Sequence, residues 1–110
     1  MQPKKSNNDV WQQVMKMTKK TTPEQISQLL QKNPDCINWR SPTGADLLCT
    51  ASARSNLKLA EELIKLGIPL DRKDKNGRTA LHYAASVGCI SIFELLVSRG
   101  ADLHSATLGG

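Results

Sequence analysis

Asp74-Lys75-Asn76-Gly77-Arg78-Thr79-Ala80-Leu81-His82-Tyr83-Ala84-Ala85, followed by Gly88, Leu95-Leu96 and Gly100-Ala101-Asp102-Leu103, decides the reading of this chain, because its landmarks recur thirty-three residues earlier. Gly77 returns as Gly44, Leu81 as Leu48, Ala84 as Ala51, Leu96 as Leu63, Gly100 as Gly67 and Leu103 as Leu70. Agreement of that many landmarks in one register is the signature of a stacked repeat, each unit supplying a face that its neighbour buries. A second step back gives a fainter copy. Leu59, Leu63 and Leu70 land on Ile26, Leu30 and Ile37, but Gly44 lands on Trp11 and Gly67 on Pro34. The first unit thus keeps its second helix and loses the marks of its first, as a terminal unit can when one face meets water.

Local chemistry explains the landmarks. Asp74-Lys75-Asn76-Gly77 reads as a turn, opened by an Asp and closed by a residue free to take positive φ. Thr79 stands where a helix N-cap belongs, and Leu81, Ala84 and Ala85 give the short helix that follows an apolar stripe of small residues. Gly88 breaks that helix. Ile90, Ile92, Phe93, Leu95, Leu96 and Val97 predict a second helix apolar around much of its girth, hence buried on two sides, with Gly100 ending it in a left-handed conformation. In the preceding unit, Ser41-Pro42-Thr43-Gly44 is the turn, Asp46 the first cap and Asn56 the second. Leu47, Leu48 and Ala51 keep the stripe there. Leu59, Leu63, Ile64 and Leu66 are expected to bury the second helix, and Gly67 to close it. Thr22-Pro23-Glu24-Gln25 reads as a capping box before Ile26, Leu29 and Leu30.

This turn plus helix–turn–helix unit resembles the ankyrin repeat. The third unit carries the run Asp-x-x-Gly-x-Thr-x-Leu-His-x-Ala-Ala, then Leu-Leu and Gly-Ala-Asp, with Ala80 where the family usually has proline. The second unit has Cys49 in place of the family histidine. The resemblance covers 39–106 well and 8–38 loosely. The expected fold class is therefore an all-α ankyrin-type helix-turn-helix solenoid of about three repeats, the first degenerate and a fourth cut off. The expected divisions are a disordered basic tail (1–7), the degenerate repeat or cap (8–38), a second repeat (39–73), a third (74–106) and the start of a further repeat or a tail (107–110). Gly110 falls in the register of Gly77, so the outer face of the last helix, around Phe93, is expected to lack a covering repeat.

Composition bounds the function. The 110 residues hold 39% hydrophobic side chains, only 4% aromatic, and a formal charge of +5. No stretch reaches the ~20 apolar residues of a membrane helix. Three cysteines without a CxxC pair point to reduced, packing thiols in a cytoplasmic or nuclear setting and not to metal or disulfide chemistry. Six of the fifteen cations precede residue 39, which reads either as a solvated surface or as attraction to an acidic partner. Without interleaved aromatics, no nucleic-acid platform is expected. No paired carboxylates, nucleophile elbow or phosphate loop is found, so no catalytic residue, metal or cofactor is expected, and the chain is read as a non-enzyme. The resemblance gives His82 a structural part, an imidazole bridging backbone groups of adjacent turns.

The resemblance implies protein–protein binding through the turn fingers and the exposed side of each first helix. Register then assigns Arg40, Thr43, Ala45 and Arg54 in the second unit, and Lys73, Lys75, Asn76, Arg78, Ser86 and Val87 in the third. Five of these ten are cationic and none is acidic, which suggests a groove for an acidic protein or peptide segment. Trp39, where the third unit has Arg72, could anchor a partner or cover the gap beside the degenerate unit. The expected function is an adaptor or targeting module. The rival readings are a regulatory region of a larger enzyme or channel, a stoichiometric enzyme inhibitor, a peptide-tail reader using Trp39, and self-association through the uncapped C-terminal repeat.

Overall fold

The computed structural model describes residues 5–18 and 20–102, with side chains from Trp11 onward. It contains six α-helices and one 3-10 helix, and no strand among the described residues: α1 (Lys5–Lys16), α2 (Pro23–Lys32), the 3-10 turn (Pro34–Asn38), α3 (Leu47–Ala53), α4 (Leu57–Lys65), α5 (Ala80–Val87) and α6 (Ile90–Ser98). Helices α3 and α4 pair within the second unit and α5 and α6 within the third, whereas in the first unit α1 and α2 each pack on the 3-10 turn. Between units α3 packs on α5, α2 on α4 and α4 on α6. Residues 5–7, expected within the tail, belong to α1. Residues 1–4, the last residues of the third repeat (103–106) and the expected fresh start at 107–110 lie outside the described residues.

Most helix ends follow the chemistry of their residues. Thr22 and Gln25 form the capping box, each side chain accepting the other's backbone N–H. Asp46 Oδ1 accepts the Cys49 N–H at 2.9 Å, and Asn56 Oδ1 that of Leu59 at 3.1 Å. Helices α4 and α6 end in the same Schellman motif: Ile68 N–H reaches Leu63 O and Ala101 N–H reaches Leu96 O, around left-handed Gly67 and Gly100. Thr79 departs from expectation. It holds the N-cap conformation, but its hydroxyl makes no cap bond and its Oγ1 is buried without a partner.

The core runs through all three units along the predicted stripes: Ile26 and Leu30, then Leu48, Leu59 and Leu63, then Leu81, Ala84, Ile92 and Leu96, all essentially inaccessible. At about 25 cal/mol per Å² of apolar area, such side chains carry most of the stabilisation. Two expected core positions lie outside it: Leu66, the C-cap of α4, is exposed, as is Ala85 in the last turn of α5. Ile90 at the start of α6 is 70% exposed and Phe93 half-buried, so that helix is covered fully on one side only, and the face around Phe93 is the one expected to lack a cover. In the second unit the corresponding Ala60 is inaccessible, because α6 lies against α4.

The thiols are distributed one to a unit, all three free. Cys36 and Cys49 are buried, and burial pushes both up from the ordinary thiol value, the neighbouring carboxylates of Asp35 and Asp46 adding to the rise.

Candidate partner-binding surface

The two fingers are built alike. Gly44 N–H bonds Ser41 O and Gly77 N–H bonds Asp74 O, closing one turn each. Ser41 N–H then reaches Ala45 O, and Asp74 N–H reaches Arg78 O. The side chains at the heads of the turns differ in strength. Ser41 Oγ accepts Ala45 N–H and shares one hydrogen bond with the Thr43 hydroxyl, whereas the Asp74 carboxylate accepts the N–H groups of Asn76 (2.8 Å) and Arg78 (2.9 Å) and the hydroxyl of Tyr83. Burial alone would raise the Asp74 carboxyl. The Tyr83 hydroxyl, the two backbone N–H groups and the Arg78 charge outweigh it and hold the carboxyl below its ordinary value. Burial, joined by the same contact, pushes the Tyr83 phenol up.

Adjacent fingers are joined backbone to backbone. Lys75 N–H bonds Thr43 O at 2.9 Å, and the Arg40 guanidinium reaches Lys73 O at 3.3 Å. The close approach needs Gly44: at φ +88 it is left-handed, and a Cβ there would stand 2.8 Å from Lys75 N. The result is one continuous edge from which Arg40, Thr43, Lys73, Lys75, Asn76 and Arg78 are exposed. Ala45, assigned to this surface by register, is buried instead, with its carbonyl inside the turn.

The remaining candidates lie elsewhere. Arg54, Ser86 and Val87 follow or end the first helices, while the fingers precede them, so the length of a seven- or eight-residue helix, about 10 Å, separates the two groups. Arg54 is exposed but engaged: its guanidinium donates to Met15 O at 3.0 Å and contacts Met15 Sδ at 3.8 Å. Ser86 and Val87 are exposed on α5, Val87 to 48%. Trp39 is half-buried against Trp11, their ring centroids 4.4 Å apart and tilted by 38°, and so covers the first unit.

Arg72 was not singled out by sequence. It ties the first two units together, its Nε 3.6 Å from buried Asp46 and its Nη2 donating to Ile37 O. Only its register with Trp39, at a position free of repeat packing, could have drawn attention to it.

The model of ankyrin repeats, in three copies, matches residues 14–107. The chain belongs to the ankyrin-repeat family. An ankyrin-repeat protein of Rickettsia bellii is 30% identical over 84% of this chain and 52% of its own length. The L-asparaginase of Dirofilaria immitis and the potassium channel AKT2/3 of Arabidopsis thaliana are each 36% identical over 53% of this chain. This chain therefore spans about half of the first of these relatives, and its matches cover 10% and 7% of the other two. Ankyrin repeats generally serve as protein–protein interaction modules, and among the described residues no helix is long and apolar enough to cross a membrane.

Proposed function

We propose that this chain is an adaptor or targeting module that receives an acidic, extended protein segment along its finger edge. Arg40, Lys73, Lys75 and Arg78 are the residues that would meet it. The observation that carries this reading is the Lys75–Thr43 backbone bond over Gly44, which holds neighbouring fingers in a fixed relation. A partner therefore meets cations whose backbone is already ordered, which lowers the entropic cost of binding. The one carboxylate in the fingers, Asp74, is turned inward and consumed by the turn. The ankyrin module itself then does no chemistry. Its three free thiols suit a reducing compartment, and we place it in the cytoplasm or nucleus.

A second reading is favoured by the names of two relatives, an L-asparaginase and a potassium channel, in which the matching stretch is a small part of a large protein. There the same edge would serve as a regulatory docking surface of an enzyme or channel.

The test compares capture from a cell extract by the wild-type chain and by Lys73→Glu/Lys75→Glu/Arg78→Glu, after circular dichroism shows both folded. A partner held by wild type and lost by the variant is expected, with association slowing as salt is raised. Equal capture by both would sink the finger reading.

A further inference from the structure

The seam between the first and second units carries side chains that the register of the third unit does not repeat. A cleft of about 520 Å³ opens there, lined by Met17 on one side and by Arg54, Asn56, Leu57 and Lys58 on the other. Three of these side chains reach across it. Arg54 donates to Met15 O, Asn56 Nδ2 lies 3.6 Å from Met17 Sδ, and Lys58 Nζ donates to Thr21 O at 3.2 Å. Leu57 and Met17 are half-buried and give the cleft its apolar surface. Among the described residues Arg54 faces no carboxylate within ion-pair distance.

The repeat supplies its own control. Thirty-three residues on, the counterparts of Arg54, Asn56 and Lys58 are Val87, Cys89 and Ser91. The second and third units stack without any cation at these positions, so the repeat as such does not demand them. We propose that this cleft is a second binding site, for a peptide group that presents a carboxylate beside an aliphatic side chain. The carboxylate pairs with Arg54, whose planar guanidinium has five N–H donors and directs only two toward Met15. Lys58 adds positive potential, and the aliphatic group packs on Leu57 and Met17. The volume lies within the range of small-ligand pockets. The proposal rests on the chain being a peptide-binding module, but it lies at the opposite end of α3 from the fingers.

Two sources offer this chemistry, the C-terminal carboxylate of a chain and an acidic side chain next to an aliphatic one. Three probes separate them by amide chemical-shift titration of the labelled protein. These are N-acetyl-leucine, N-acetyl-aspartyl-leucinamide and the uncharged N-acetyl-leucinamide. Saturable shifts at residues 54–58 are expected from one or both carboxylates, at roughly millimolar affinity. The first probe alone identifies a chain terminus and the second alone an acidic side chain. Arg54→Gln keeps an amide able to reach Met15 O but removes the charge. With its fold checked by circular dichroism, it should weaken binding at least about tenfold. The site is overturned if no carboxylate gives saturable shifts, if the leucinamide acts equally, or if Arg54→Gln binds like wild type. Lys75→Glu/Arg78→Glu should leave these titrations unchanged, so failure here and failure of the finger reading are separate results.

Discussion

The two seams of this solenoid are made from different materials. Between the second and third units the contact is mainly helix against helix and backbone against backbone, with α3 on α5, Lys75 N–H on Thr43 O and no room for even a methyl group at Gly44. Side chains add the Arg40 bond to Lys73 O and the Asp71 bond to Asp102 N–H. Between the first and second units, α2 still packs on α4, but much of the remainder is side-chain work. Arg54, Lys58 and Arg72 each reach a main-chain carbonyl of the first unit, and Trp39 lies on Trp11. A backbone seam depends on conformation and tolerates most side-chain changes. A seam of long tethers can be cut one residue at a time and, where charge contributes, weakened by salt. The first unit should therefore open before the others do.

The strongest way to break the comparison is Gly44→Ala. It forces a left-handed conformation on a residue with a Cβ and drives that Cβ against Lys75 N, so a loss of about 3 kcal/mol is expected in urea unfolding. A loss below about 1 kcal/mol would show that the fingers can part without harm. On the other seam, Trp39→Ala removes a half-buried aromatic pair and should cost about 2 kcal/mol. Hydrogen exchange would locate the damage in α1 and the 3-10 turn, with α5 and α6 still protected.

Sequence made these two regions unequally legible. From residue 39 onward, caps at Asp46 and Asn56, turns at Ser41 and Asp74, and stops at Gly67 and Gly100 all stand where their chemistry put them, because each depends on neighbours within four or five positions. What escaped depends on distance. Arg54 to Met15 and Arg72 to Ile37 span thirty-nine and thirty-five residues and lead into a unit whose first helix has lost the repeat's marks, so register could not foretell them. The finger edge was legible because it is itself periodic. Ala45 was misplaced because a turn's polar neighbours do not reveal which way its last residue faces.

Smaller effects sharpen the picture. The Asp74 carboxyl is held below its ordinary value of 3.8, so the folded state favours its ionised form. Its contribution is fully present above that value and is lost as the pH falls through the folded one. Tyr83→Phe removes one donor, should cost about 1 kcal/mol at neutral pH, and should make the acid-side decline shallower in a pH series of urea midpoints. Smallest is Ser55→Gly. Ser55 sits at φ 57 where the third unit has Gly88 at φ 76, so relief of that strain should add about 0.5 kcal/mol to stability. No gain in thermal midpoint would mean that Ser55 is held there without strain.

The distribution of sulfur gives the protein a built-in clock. Each repeat carries one thiol, and in the first two repeats burial holds it in the protonated form that alkylating reagents attack slowly. Labelling Cys36 then requires the first repeat to open, and labelling Cys49 requires the second, while half-exposed Cys89 sets the reference rate. Mass spectrometry of partly alkylated protein would read out, without any mutation, the order in which the solenoid comes apart.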